Sequence, residues 1–168
     1  MNAPGKLPAH QIVIGLGSNI DPENNLLQAF QELKKQTKIL KSSGVWQNPA
    51  VGSAGPDYLN AAVLVSTTLD VNSLKTRVLW TIEKDLDRVR RADKNADRTI
   101  DLDILIVDGI PLDEELWTRA HVSVPAAQVA PRVRHPETGE TLQEAARRLL
   151  PERDFELRSD LALPPESP

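Results

Sequence analysis

An α+β domain built on an antiparallel sheet is the fold class this sequence predicts, and two observations carry it. Short apolar runs alternate with segments of helical periodicity, and the order of those segments is β-α-β-β-α-β. Ile12-Val13-Ile14-Gly15-Leu16 reads as a buried strand that stops at Gly17-Ser18-Asn19, with Gly15-Leu16-Gly17 as a tight turn at its end. Asp21 before Pro22 predicts an N-cap with proline in the first turn, and Leu26, Leu27, Phe30 and Leu33 then recur at helical spacing. Ile39-Leu40 through Val45-Trp46 predicts one second strand, residues 48–56 a loop, and Tyr58 to Thr67 a third strand. Leu74, Val78, Ile82 and Leu86 fall four apart, with Leu79 and Val89 widening the stripe, so the longest helix lies here. It dissolves in 88–98; a fourth strand follows from Thr99 to Val107, and a last helix covers 142–150 before Pro151. This order is the split βαβ, or ferredoxin-like, arrangement, with helices on one face of the sheet. A single domain is expected over 10–158. Residues 1–9 and 159–168 read as loose termini, because Pro4, Pro8 and the run of prolines from Pro164 break regular structure.

Composition narrows the function classes. With 40% apolar and 26% charged residues over 168 positions, the chain is neither disordered nor a coiled coil. The absence of cysteine excludes disulfides, zinc ribbons and thiol nucleophiles, and three histidines argue against a His-rich metal site. A net charge of -4 and a pI near 5.4 argue against nucleic acid or an anionic membrane as partner. No apolar run approaches the roughly 18 residues of a membrane span. Met1–Ala9 lacks the apolar core of a signal peptide, so a cytoplasmic location is expected.

The chemistry concentrates in residues 88–104. On a strand, Asp101 and Asp103 point the same way, roughly 7 Å apart. Leu105 and Val107 are expected to continue that face, with Ile100, Leu102, Ile104 and Ile106 on the other. Two neighbouring carboxylates repel each other and are costly to desolvate, and a hard cation relieves both problems. Mg²⁺ takes one or two carboxylates and completes its shell with water and substrate phosphates. Arg88, Arg90, Arg91, Lys94 and Arg98 lie just upstream, and arginine forks match phosphate oxygens. Phosphoryl transfer needs this combination of positioning and charge neutralisation. The plainer alternative is that Asp101 and Asp103 pair with those arginines in a surface network, and that a basic helix end complements its own dipole. Tyr58 and Asn60 share one face of their strand, an aromatic plate beside an amide. His121 belongs to no legible Ser/His/Asp arrangement.

Taken together, Gly17-Ser18-Asn19, Pro56-Asp57-Tyr58-Leu59-Asn60-Ala61 and the long block from Glu83 through Arg88-Val89-Arg90 to Arg98-Thr99-Ile100-Asp101-Leu102-Asp103-Ile104 resemble the 6-hydroxymethyl-7,8-dihydropterin pyrophosphokinase family over about residues 11–150. The resemblance implies extra C-terminal elements on the ferredoxin-like fold and transfer of pyrophosphate from ATP to the pterin hydroxymethyl oxygen, releasing AMP. It implies that Asp101 and Asp103 hold two Mg²⁺ ions and that Arg88 and Arg98 neutralise the migrating group. Arg90, Arg91 and Arg119 become further phosphate or nucleotide contacts, with Ile104 near the adenine. Tyr58 stacks on the pterin, Asn60 bonds its edge, and Asn48, Pro49 and Val51 line its pocket. His121 stands at a second stacking position where the family has an aromatic residue. Asn95 replaces a usual Trp, Asp87 a Gly and Trp80 a frequent Gln, and a Pro-His stretch is absent between Trp117 and Arg119. The family also suggests a monomer.

Two further readings compete: the same ATP chemistry on a different acceptor, and a noncatalytic binding relative. Retention of both aspartates and both arginines argues against the second. A ferredoxin-like RNA-binding module would need exposed sheet aromatics and a basic face, and two Phe, one Tyr and an acidic pI argue against it.

Overall fold

Alternation along the first strand sends Ile12, Ile14 and Leu16 to one side of the sheet and Val13 to the other, and each side has its own core. The computed structural model describes residues 5, 7–50, 52, 54–151 and 153–164. Its elements are β1 (His10–Ser18), α1 (Pro22–Gln36), β2 (Lys38–Ser42), β3 (Gly44–Asn48), β4 (Tyr58–Thr67), helix α2 over 71–85, β5 (Asp101–Val107) and β6 (Ile110–Pro111). After a 3₁₀ turn at Glu114–Trp117 come α3 (Ala120–Val129), α4 (Leu142–Leu149) and β7 (Glu156–Ala162). The strands lie in the order β6-β5-β1-β4-β3-β7, with β2 also paired to β4, and all pairings are antiparallel.

The apolar stripes of α1 (Leu26, Phe30, Leu33) and α2 (Leu74, Val78, Ile82) cover one face, as the βαββαβ order requires. The elements after β6 cover the other: Leu116, Trp117, Ala126 and Leu142 pack over Val13, Ala62, Leu105 and Ile106. Each core residue sealed from water contributes on the order of 1.5–3 kcal/mol. The extra C-terminal elements therefore turn a two-layer sheet into a three-layer one.

Several local expectations change. The second strand splits at Ser43 into β2 and β3, both on β4. Ser43 Oγ accepts the Ala62 N–H at 2.8 Å and so replaces a ladder bond where the chain steps sideways. Gly15-Leu16-Gly17 is no turn but the body of β1, paired on both edges. Asp21 precedes Pro22 but sits at φ 42° and makes no side-chain cap; only its carbonyl enters the helix, accepting from the Asn25 N–H. In β5 the strict alternation fails after Leu105. The β1–β5 register jumps from Ile14–Ile104 to Val13–Ile106, a bulge that leaves Leu105 without a partner opposite. Ile106 consequently joins Leu105 in the second core, and Val107 packs against the first.

The C-terminal expectation also gives way. Residues 159–162 are not loose but belong to β7, which pairs with β3, and Leu163 is buried behind it. Arg158 anchors this edge strand through Gln47 Oε1 at 2.9 Å, Glu23 at 3.0 Å and Asp160. No helix among the described residues is long and apolar enough to cross a membrane.

Candidate functional site

Two clefts meet at the start of β5. The first, about 290 Å³, lies on the second-core face and is floored by β1. A Cβ at Gly15 would stand 3.0 Å from the Leu105 side chain, and one at Gly17 would stand 3.2 Å from Asn60 Oδ1. The two glycines thus keep that floor open, which answers why β1 carries them. Tyr58 and Asn60 from β4, Asn48 from β3, and Arg119 and His121 at the start of α3 complete the walls. The second cleft, about 450 Å³, lies between α2 and the 88–98 loop. Lys94, Arg98, Asp101 and Asp103 line both.

The wall between the clefts is an ordered charge network. Asp101 accepts from Arg88 on Oδ1 and from Arg98 Nη1 on Oδ2, the latter at 2.6 Å. Buried Glu83, 3% exposed, fixes the other side: it accepts the Leu102 N–H at 3.0 Å, binds Arg88, and accepts Arg90 at 2.8 Å. A carboxylate this deep is tolerable because its oxygens are all taken by charged or backbone donors. Asn19, at the end of β1, pins the loop: its Oδ1 accepts the Arg98 N–H at 2.9 Å and its Nδ2 donates to Asp97 at 2.8 Å. The same amide reaches the Pro56 carbonyl at 3.3 Å, tying together the loops beside both clefts.

Asp103 differs from its neighbour. Among the described residues its carboxylate makes no hydrogen bond or ion pair, and it opens to solvent through the clefts while its backbone is paired to β1. Desolvation first, then the negative charges of Asp101 and Glu83, push its carboxyl up to about 6, with Arg88 opposing. A cation there would relieve that strain. No group of three or more His, Cys, Asp or Glu able to hold a metal is found among the described residues. A site of two carboxylates still suits Mg²⁺, which takes its remaining oxygens from water and phosphate.

The neutral side of the first cleft is equally ordered. Asn60 Nδ2 donates to Asn48 Oδ1, and Asn48 Nδ2 to the Pro49 carbonyl at 2.8 Å, so both buried amides are oriented. Burial raises the Tyr58 hydroxyl's pKa, with Arg98 opposing.

Of the residues expected from sequence, Asn48, Tyr58, Asn60, Arg98, Asp101, Asp103, Arg119 and His121 meet in the first cleft. Arg88, Arg90 and Arg91 join the shared residues in the second. Arg119, expected as a phosphate or nucleotide contact, lines the first cleft, which also holds the shared residues Lys94, Arg98, Asp101 and Asp103. Ile104 lines neither cleft and packs against the first core. Pro49 contributes its carbonyl rather than a wall, and Val51 lies outside the described residues. Lys75 in the second cleft, and Asp113 and Glu115 in the first, carried no periodic or motif signal, and Trp80 stood out only as a departure from the family's frequent Gln.

Comparison with known proteins agrees with this architecture. The profile of the 7,8-dihydro-6-hydroxymethylpterin-pyrophosphokinase (HPPK) family matches residues 13–131. A 2-amino-4-hydroxy-6-hydroxymethyldihydropteridine pyrophosphokinase of Synechocystis is 32% identical over 144 residues, 79% of this chain and 73% of that one. The enzyme of the same name from Campylobacter jejuni is 40% identical over 97 residues, 55% of this chain and 60% of that one. Among solved structures, wild-type Plasmodium falciparum HPPK-DHPS with pteroate superposes at a TM-score of 0.65 and 12% identity, sharing the fold over 87% of this chain and 43% of that chain. The chain belongs to the 7,8-dihydro-6-hydroxymethylpterin-pyrophosphokinase family.

Proposed function

We propose that this member of the family transfers pyrophosphate from ATP to the hydroxymethyl group of 6-hydroxymethyl-7,8-dihydropterin, giving AMP and the pterin diphosphate. The observation that carries the reading is the shared wall: Asp101, Asp103 and Arg98 line both a cleft whose far side bears the Asn48 and Asn60 amides and the Tyr58 ring, and an arginine-rich one. A reaction joining a flat heterocycle to a polyphosphate needs that arrangement. In the transfer, the acceptor hydroxyl oxygen forms a bond to the β-phosphorus of ATP. The bond from that phosphorus to the oxygen bridging the α-phosphate breaks, AMP leaves with the oxygen, and the hydroxyl proton goes to water.

Each residue then has a physical task. Tyr58 stacks on the pterin ring, while Asn60 and Asn48, held in one orientation by their mutual bond, present amide groups to its edge. His121 and Arg119 close the opposite wall. Asp101 and Asp103 hold Mg²⁺, which when bound neutralises phosphate charge and aligns the polyphosphate. Arg88 and Arg98, both paired to Asp101, can exchange carboxylate oxygens for phosphate oxygens of the same geometry and so neutralise the transferred group. Glu83 keeps Arg88 and Arg90 aimed while they do so. No protein base is required, because positioning and charge neutralisation supply most of the acceleration in phosphoryl transfer.

The test is AMP release from Mg²⁺, ATP and 6-hydroxymethyl-7,8-dihydropterin, beside a control lacking the pterin. Pterin-dependent AMP is the expected result; its absence sinks the reading. A second reading keeps the donor and changes the acceptor, because Asn95 and His121 line the first cleft where the family has aromatic residues. It predicts AMP release with a related hydroxymethyl heterocycle and none with the dihydropterin.

A further inference from the structure

Helix α2 is not uniform. Between its α-helical ends, Leu74–Leu79 form a π-helical segment, and the Trp80 N–H donates to the Lys75 carbonyl five residues back. In a regular α-helix, residues five apart point about 140° away from each other. The widened turn closes that angle, and Lys75 and Trp80 come to line one cleft together with Glu83. Such wide turns inside helices are rare and concentrate at functional sites. Here its effect is to bring an indole to a cavity wall.

That indole is not core packing. Trp80 is 47% exposed, whereas Trp46 and Trp117 are 9% and 5% exposed. Exposed Val89 lines the same cavity, and the Arg90 guanidinium lies 5.7 Å from the ring centroid while tethered to Glu83. The same cavity holds Arg88, Arg98, Asp101 and Asp103. One space of about 450 Å³ therefore has an end that neutralises a polyanion and an end that offers a π face with a cation over it.

We propose that Trp80 determines nucleotide affinity: its indole stacks on the purine of a nucleoside triphosphate whose phosphates lie at the Asp101–Asp103 end. The inference rests on the reading of the second cleft as the nucleotide side. An indole face provides stacking and reads no base edge, so its contribution belongs to the base and not to the phosphates. A triphosphate without a base does not feel it.

The experiment is equilibrium binding of Mg²⁺·ATP and Mg²⁺·tripolyphosphate to the 168-residue chain and to Trp80→Ala, followed by intrinsic fluorescence and calorimetry. ATP is expected to quench the emission of wild type, and tripolyphosphate to leave it nearly unchanged. Trp80→Ala is expected to lose about tenfold in ATP affinity and nothing in tripolyphosphate affinity, and Trp80→Phe to recover most of the loss. Equal ATP affinity in Trp80→Ala overturns the proposal, as does an equal loss for both ligands, which marks a structural role exerted through Arg90. Wild type that shows no ATP quenching overturns it too. Quenching that depends on Trp80, without pterin-dependent AMP release, upholds the stacking site and sinks the transfer reaction instead.

Discussion

The two clefts share a wall and differ in how their groups are satisfied. In the second, every strong charge described on Glu83, Arg88 and Asp101 already has a partner of opposite sign. In the first, away from the shared wall, the ordering bonds are between neutral amides, Asn60 to Asn48 and Asn48 to the Pro49 carbonyl. A polyanion can enter the charged cleft by exchanging partners, with no arginine ever left bare in a low-dielectric site. A neutral heterocycle gains nothing from such exchange and is read by a fixed surface. Asp103 belongs to neither pattern: its carboxylate has no partner among the described residues, which suits the cation proposed for it.

The comparison breaks most visibly at the shared wall. Asp101→Ala or Asp103→Ala should lower turnover at least about a hundredfold while circular dichroism stays that of the parent, since both lie at a cleft rather than in a core. Unchanged AMP release in either variant would falsify the metal assignment. Arg98→Ala should reduce kcat at least about tenfold. A change confined to KM would make Arg98 a binding residue and leave charge neutralisation to Arg88.

A smaller effect separates the clefts. Tyr58→Ala should raise the KM for the acceptor about tenfold and leave the affinity for ATP within about twofold. Loss of both in equal measure would mean the clefts are one site. The smallest effect concerns stability. The Asp103 carboxyl titrates higher folded, about 6, than its ordinary 3.8, so the folded state binds more protons between those values. Stability of the metal-free protein should therefore fall as pH rises from about 4 to 6 through this group. Asp103→Asn should remove that slope and gain about 1 kcal/mol above pH 6, a figure reduced from the full shift because water reaches the carboxyl. Denaturant unfolding at pH 4.5 and 7 checks it, and identical slopes for parent and variant would dismiss the repulsion.

Legibility followed local physics. β4 was readable from Tyr58 to Thr67 because a strand covered on both faces is continuously apolar. The stripes of α1 and α2 were readable because each has one wet side. α3 left no stripe: it is apolar nearly all round, and Pro125 inside it signals a break although the helix runs on to Val129. β7 was hidden for the opposite reason. Its Glu-Leu-Arg-Ser-Asp-Leu-Ala is mostly exposed, and backbone pairing to β3 with the Arg158 contacts holds it, neither of which alternation reports.

The sequence by itself determined the alternation of strands and helices from β1 to β5 apart from the split into β2 and β3, the one-sided placement of Asp101 and Asp103, and the basic character of the segment before them. These depend on periods of two and 3.6 and on residue chemistry, which are local properties. Only the tertiary structure decided which arginines face Asp101, that Glu83 is buried beneath them, and that Asp103 is left alone. The bulge at Leu105 and the wide turn at Leu74–Leu79 belong to the same class. Each adds one residue to a repeat, a shift that packing against neighbouring elements selects and local periodicity does not record. Those two shifts set which side chains face which core and which cleft, so the final geometry of the site was a decision of the packed molecule.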